Sequence, residues 1–97
     1  MLHITACWVI ADSGFVDEAI GLFAGASAST PNAALATQTR FFQHVLEGDT
    51  VRALALLTPE LENAFQNEYH CRIMADAMAS LGRTDDALRW LRTAIQH

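Results

Sequence analysis

Apolar and polar positions along the chain follow a helical period that is broken at three corners of one shape. In SLGRTDDALRWLRTAI, residues 80–95, Gly82 closes one helix, Thr84 with Asp85 and Asp86 opens the next, and Ala87, Leu91 and Ala94 fall on one face of that second helix. DSGFVDEAIGLFAGA places Gly14, Ala19, Phe23 and Ala26 at the same offsets, and EGDTVRALALL places Gly48, Ala53 and Leu57 there. The glycines 14, 48 and 82 are 34 residues apart, and so are the alanines 19, 53 and 87. Three corners in step, each with a large apolar residue four places after its alanine, predict a helical repeat of that period.

Taken in order, residues 1–12 are expected to form the first helix, with Ala6, Cys7 and Ile10 toward its partner. Ser13 and Gly14 end it, and a second helix follows over about 15–26 with Asp17 and Glu18 in its first turn, where the helix dipole favours acids. SASTPN links to the next repeat, with Thr30 as cap and Pro31 at the first helical position. The helix that extends from there to residue 47 admits two registers. The strict 34-residue alignment turns Thr37, Arg40, Phe41 and His44 inward, whereas a slip of one residue buries Gln38, Phe41, Phe42 and Val45. The slip is favoured, because it buries more apolar surface and leaves Arg40 in water; a buried unpaired arginine costs several kcal/mol. Asp49 or Thr50 caps the next helix, which carries Val51 and Leu54 and is stopped near Leu57 by Pro59. A short helix near 59–66 restarts with Thr58 as cap, Asn67 caps a long helix over 68–81, and the final helix runs over about 84–96.

Composition narrows the class. With 97 residues the chain is at most one compact domain of modest stability, and 52% apolar against 18% charged residues argues against disorder and for an unusually apolar surface that meets a partner. The net charge is -5, there is no lysine, and the six arginines are scattered, with none before Arg40 while Asp12, Asp17 and Glu18 precede it. Such a surface offers no basic stripe to nucleic acid or to an anionic membrane. Cys7 and Cys71 lie far apart without a CxxC motif, as expected of small buried groups in a reducing cytosol. The apolar segment 2–11 lacks a basic flank and a cleavage site and is too short to span a bilayer, so it is taken as a helix and not as a targeting signal.

On these residues the chain resembles the tetratricopeptide repeat family. The resemblance implies an all-α fold in which three antiparallel helix pairs stack as a right-handed solenoid, six main helices plus the short one near 59–66. It covers a single domain 1–97 with repeats of approximately 1–33, 34–67 and 68–97. It rests on the second-helix signature and on Pro31. The first-helix positions, where the family prefers tryptophan, leucine, glycine and tyrosine, hold His3, Ala6, Cys7 and Ile10, and later Cys71, Met74, Ala75 and Met78. More narrowly, 56–97 looks like the carboxyl-terminal repeat region of some bacterial multidomain regulators, including serine/threonine kinases and adenylate cyclases. In those the chain continues into a glycine and an aromatic-rich segment. Its end at His97 is therefore expected for a fragment or a small stand-alone protein, and because the first helix of such repeats starts before the position of His3, Met1 is expected as an artificial boundary.

Stacked repeats of this family present a concave groove lined by the first helix of each pair and use it to recognise a peptide or another domain. The resemblance places Ile4, Trp8 and Asp12, then Gln38 and Phe42, then Tyr69, Arg72 and Asp76 in that groove. Trp8, Tyr69 and Arg72 are residue types that dominate binding energies, although Trp8 equally suits packing against a neighbouring helix. Relatives that capture chaperone carboxyl termini use a clamp of lysines and asparagines; this chain has no lysine, so an apolar or helical segment is the expected ligand. His3 with Cys7 and His70 with Cys71 supply zinc-type donors, but helices pack about 8 to 10 Å apart, which separates the first and third repeats too far to share an ion. No serine, cysteine or histidine shows the base and orienting acid of a nucleophilic site, and Asp76 is expected as a surface charge or an Arg72 partner. Trp90 and Ile95 are expected on an uncovered face of the last helix, where they would mediate self-association into a homodimer. The expectation is a non-enzymatic, cofactor-free module in a bacterial cytoplasm that binds a protein or peptide, or oligomerises. The alternative is an accessory regulatory domain of a kinase- or cyclase-type catalytic protein.

Overall fold

The computed structural model describes residues 4–65 and 68–96, and among them every regular element is a helix. The helices are α1 (Ile4–Asp12), α2 (Val16–Ser29), α3 (Ala33–Glu47), α4 (Thr50–Ala55), α5 (Pro59–Ala64), α6 (Glu68–Ser80) and α7 (Thr84–Gln96). They fall into two compact units, Met1–Leu57 and Thr58–His97.

The three corners seen in the sequence close with the same hydrogen bonds. Gly14, Gly48 and Gly82 all take left-handed backbone, at φ 99°, 76° and 76°. Each donates its N–H to the carbonyl three residues back, at Ala11, Val45 and Ala79, over 3.0 to 3.1 Å. The following residue donates to the carbonyl five back: Phe15 to Ile10 at 3.1 Å, Asp49 to His44 at 2.9 Å and Arg83 to Met78 at 2.8 Å. This paired pattern satisfies carbonyls that a helix end would otherwise orphan, and only glycine adopts its central conformation without steric cost. Five residues beyond each glycine, Ala19, Ala53 and Ala87 are buried, as the period predicts.

In the first unit α2 packs on α1 and on α3, and α3 packs on α4. Its core is aromatic. Phe42 lies edge-on to Trp8 with centroids 5.5 Å apart and to Phe41 at 5.1 Å, and stacks with Phe23 at 5.9 Å. The register of α3 is the slipped one for its apolar residues: Phe41, Phe42 and Val45 are buried and Arg40 is exposed. Gln38 is only half-buried, and Thr39 goes inside instead, its hydroxyl donating to the Leu35 and Ala36 carbonyls at 3.1 and 3.0 Å. A hydroxyl can be satisfied by its own helix backbone, which a glutamine amide at that place cannot match. α1 is also rolled from its expected face, burying Ile4, Cys7, Trp8 and Ala11 while Ala6 is exposed. α3 starts later than expected, capped by Asn32, whose Oδ1 accepts the Leu35 N–H at 3.0 Å; asparagine is the stronger cap, and Thr30 ends α2.

In the second unit α6 packs on α7. α5 starts as expected, with Thr58 Oγ1 accepting the Leu61 N–H at 3.2 Å and Pro59 in the first turn. Leu61 and Phe65 are buried, and Arg89 of α7 donates to Glu62 at 2.8 Å. The cap expected at Asn67 lies outside the described residues.

Gly21 and Gly25 sit inside α2 on exposed positions, and a Cβ added at either meets no atom within 4 Å. Replacing a mid-helix glycine by alanine there removes backbone freedom from the unfolded chain at no steric cost. Gly21→Ala and Gly25→Ala should each raise stability by about 0.5–1 kcal/mol, seen as a higher urea midpoint; a decrease in either would show that the glycine backbone is not helical there.

Candidate functional site

Within the first unit, the residues assigned to a groove do not share one open face. Ile4, Trp8 and Phe42 are core residues with exposures of 7%, 4% and 0%, so they cannot present side chains to a ligand, and their expected role is corrected. The cause is area: an indole buries far more apolar surface than Ala6, so α1 rolls to put it inside, and Phe42 is inside because α3 keeps the slipped register that buries it. Asp12 is exposed at the end of α1, and Gln38 is half-buried on α3. Arg72 and Asp76 are exposed one turn apart on α6, and the Tyr69 side chain lies outside the described residues.

The pair assigned to an interface divides. Ile95 is 84% exposed, as expected, but Trp90 is fully buried, which corrects its assignment. α7 has turned so that Trp90 occupies the centre of its packed face and Leu91, expected inside, is 44% exposed. The same area argument applies, since a tryptophan gains more from burial than a leucine. Among the described residues the buried indole N–H of Trp90 has no hydrogen-bond acceptor, a cost accepted for the ring's burial.

Several charged groups pair with one another. Arg89 bridges Glu62 at 2.8 Å and Asp86 at 3.6 Å, Arg83 meets Asp86 at 3.0 Å, and Arg52 meets Asp49 at 3.4 Å. His44 Nδ1 lies 3.0 Å from Glu47, which with the Gln43 amide holds that carboxyl below its ordinary pKa. A depression of about 450 Å³ at the α6–α7 corner is lined by Gly82, Arg83, Thr84, Asp85 and Asp86. Cys7 and Cys71 are buried, and burial pushes both thiols above their usual pKa, which leaves them protonated and poor as nucleophiles at neutral pH. The Cys71 thiol donates to the Phe65 carbonyl at 3.4 Å. Among the described residues no group of three or more histidine, cysteine and acidic side chains is placed to hold a metal ion, and no helix is long and apolar enough to cross a membrane.

His70 is half-buried with its ring edge-on to Phe65 at 5.1 Å, and burial lowers its pKa. A histidine whose folded pKa is depressed binds its proton more readily when unfolded. Its contribution to stability is therefore complete above the ordinary value of about 6.5 and is lost as the pH falls through the folded value. The urea midpoint should fall between pH ~7.5 and ~5.5, and His70→Gln should flatten that part of the profile. An unchanged slope in the variant would place the titrating group elsewhere.

What the sequence reasoning missed is apolar and exposed. Phe15, Val16 and Leu22 on and beside α2, Val9 on α1, and Leu88 and Leu91 on α7 all face solvent. The three- and four-residue spacing of Leu88, Leu91 and Ile95 was open to a reading of the chain, but the repeat signature assigned Leu91 to the core. Comparison with protein-family models, curated proteins and solved structures gives no match for this chain.

Proposed function

We propose that this chain is a tetratricopeptide-type repeat module that recognises protein and catalyses no reaction. The observation that carries the reading is the corner repeated three times at a spacing of 34 residues, with the same left-handed glycine, the same pair of hydrogen bonds and the same buried alanine. Such identical corners are what a stack of equivalent helical hairpins requires, and the arrangement proposed is three antiparallel pairs in a right-handed solenoid. Repeats of this kind serve as scaffolds for recognition. The thiols are buried and held protonated, which supports binding over chemistry. The acidic balance disfavours nucleic acid and anionic membranes as partners, and a cytoplasmic setting suits two free cysteines.

The face available to a partner is no longer the one built on Trp8 and Phe42. Arg72 and Asp76 on α6 remain as its polar part, and the exposed leucines and isoleucine of α7 offer apolar area. Affinity capture from the source cytoplasm tests the reading, with the wild-type chain and an Ile95→Glu, Leu91→Glu double variant as baits. A protein, including a further copy of the chain, held at near one-to-one stoichiometry by the wild type and released by the variant supports it. A wild-type bait that retains no protein at all sinks it.

A further inference from the structure

The helices of the second unit are held unequally. α6 and α7, of 13 residues each, pack on one another, and buried residues run from Cys71 to Met78 on α6 and include Ala87 and Trp90 on α7. α5 has six residues, fewer than the ~12–15 that give an isolated helix marginal stability in water, so it persists only while something holds it. It does not pack along α6 or α7 as those two pack along each other. Its hold is made by side chains: Leu61 and Phe65, at the C-cap, are buried, whereas Thr58, Pro59, Glu60 and Asn63 face solvent. The Phe65 carbonyl accepts from the Cys71 thiol at 3.4 Å, and its ring lies edge-on to His70. Glu62 accepts from Arg89 at 2.8 Å, and both side chains are partly in water, 29% and 49% exposed. The chain enters α5 at the boundary between the two compact units, through an extended Thr58 and a proline that donates no backbone hydrogen bond.

We propose that residues 58–65 form a strap that opens as one piece while α6 and α7 stay folded, with the Glu62–Arg89 pair as its clasp. Opening withdraws Leu61 and Phe65 from their buried positions and parts the Cys71 thiol from its acceptor. The order of events follows from what each opening exposes. Lifting the strap exposes two large apolar side chains, whereas parting α6 from α7 exposes Met74, Met78 and Trp90 with their neighbours, a much larger apolar area. Segments with few buried apolar groups open at lower free energy than the packed elements they rest on, and such segments are where a fold moves first. The clasp sets how often this happens. An exposed ion pair of this kind is weak and screened by salt, so it tunes the opening without locking it. No partner is involved, so the strap stands or falls independently of protein recognition.

Native-state hydrogen exchange of the wild-type chain, resolved by residue with nuclear magnetic resonance, tests this. The hydrogen-bonded amides of Leu61, Glu62 and Phe65 should exchange about tenfold or more faster than those in the middle of α6 and α7. Urea well below the unfolding midpoint should leave the strap amides nearly unchanged and speed those of α6 and α7, because a local opening exposes little surface. Cys71 is a second reporter. With iodoacetamide its thiolate displaces iodide and forms a thioether, and peptide mass mapping follows this sulfur separately from Cys7. Its labelling should show the same weak dependence on urea as the strap amides. Glu62→Gln keeps the side chain's size and removes the charge; it should speed both readouts about two- to fivefold, and the difference from the wild type should vanish in ~1 M salt. Circular dichroism checks that the variant keeps its helix content. Strap amides or a Cys71 thiol that open only together with α6 and α7, with their urea dependence, overturn the proposal, and so does a Glu62→Gln variant that leaves both rates unchanged.

Discussion

Phe42→Ala should lower the stability of the unit that contains it by about 3–5 kcal/mol. Phe42 is completely buried and its ring meets three others, Trp8 from α1, Phe23 from α2 and Phe41 beside it on α3. Truncation removes the burial of a phenyl ring and leaves a cavity bounded by three helices that cannot all close at once. Aromatic pairs of this geometry contribute about 0.5–1.5 kcal/mol beyond area burial, so the loss should fall toward the upper end of the range. For a chain of this size, with total stability of about 5–10 kcal/mol, that is a large fraction. Urea denaturation followed by tryptophan fluorescence and circular dichroism measures it, with Val51→Ala, at an 80% exposed position, as a control expected within about 0.5 kcal/mol of the wild type. A loss below about 1 kcal/mol for Phe42→Ala would mean that this cluster is not the centre of the core.

The second large effect concerns Trp90, whose two substitutions should differ sharply. Trp90→Ala should lower stability by about 3–5 kcal/mol, because the whole buried indole is lost. Trp90→Phe keeps most of the apolar volume and removes a buried donor that has no acceptor among the described residues. An unsatisfied buried donor costs about 1–3 kcal/mol, similar to what the smaller ring forfeits in packing, so the phenylalanine variant should lie within about 1 kcal/mol of the wild type. Equal losses for the two variants would show that the indole N–H is hydrogen-bonded after all.

The parts of the fold legible along the chain are those governed by neighbouring residues. Gly14, Gly48 and Gly82 mark the three corners because a left-handed turn is a local steric demand. Thr58 with Pro59 and Asp49 announce the starts of α5 and α4, since a cap needs only its own side chain and the N–H three residues on. Arg40 was turned outward by its charge, and Phe41, Phe42 and Val45 inward by the area they bury together. These choices cost or release enough energy to be read without a partner in view.

The candidate surfaces were far less legible, for one recurring reason. Aligning the corners placed α1 and α7 by the repeat signature, with Ala6 and Leu91 inside and Trp8 and Trp90 available to a partner. A repeat alignment assigns every equivalent position the same facing, but a helix can roll about its axis, and what sets the roll is the largest side chain that a facing helix can cover. In both helices that side chain was the tryptophan. Its burial took Ile4 and Trp8 out of the proposed groove and brought Leu91 beside Leu88 and Ile95 on the outside.

An all-helical chain with corners at residues 14, 48 and 82 is therefore written in local sequence, because helix period, capping and glycine backbone act over a few residues. Which faces of α1 and α7 are covered, and so where the protein has apolar surface left to offer, was settled only when the helices packed. Burial is a property of pairs of helices, and the energy that decides it, a few kcal/mol for each indole, exceeds any preference carried by one helix alone.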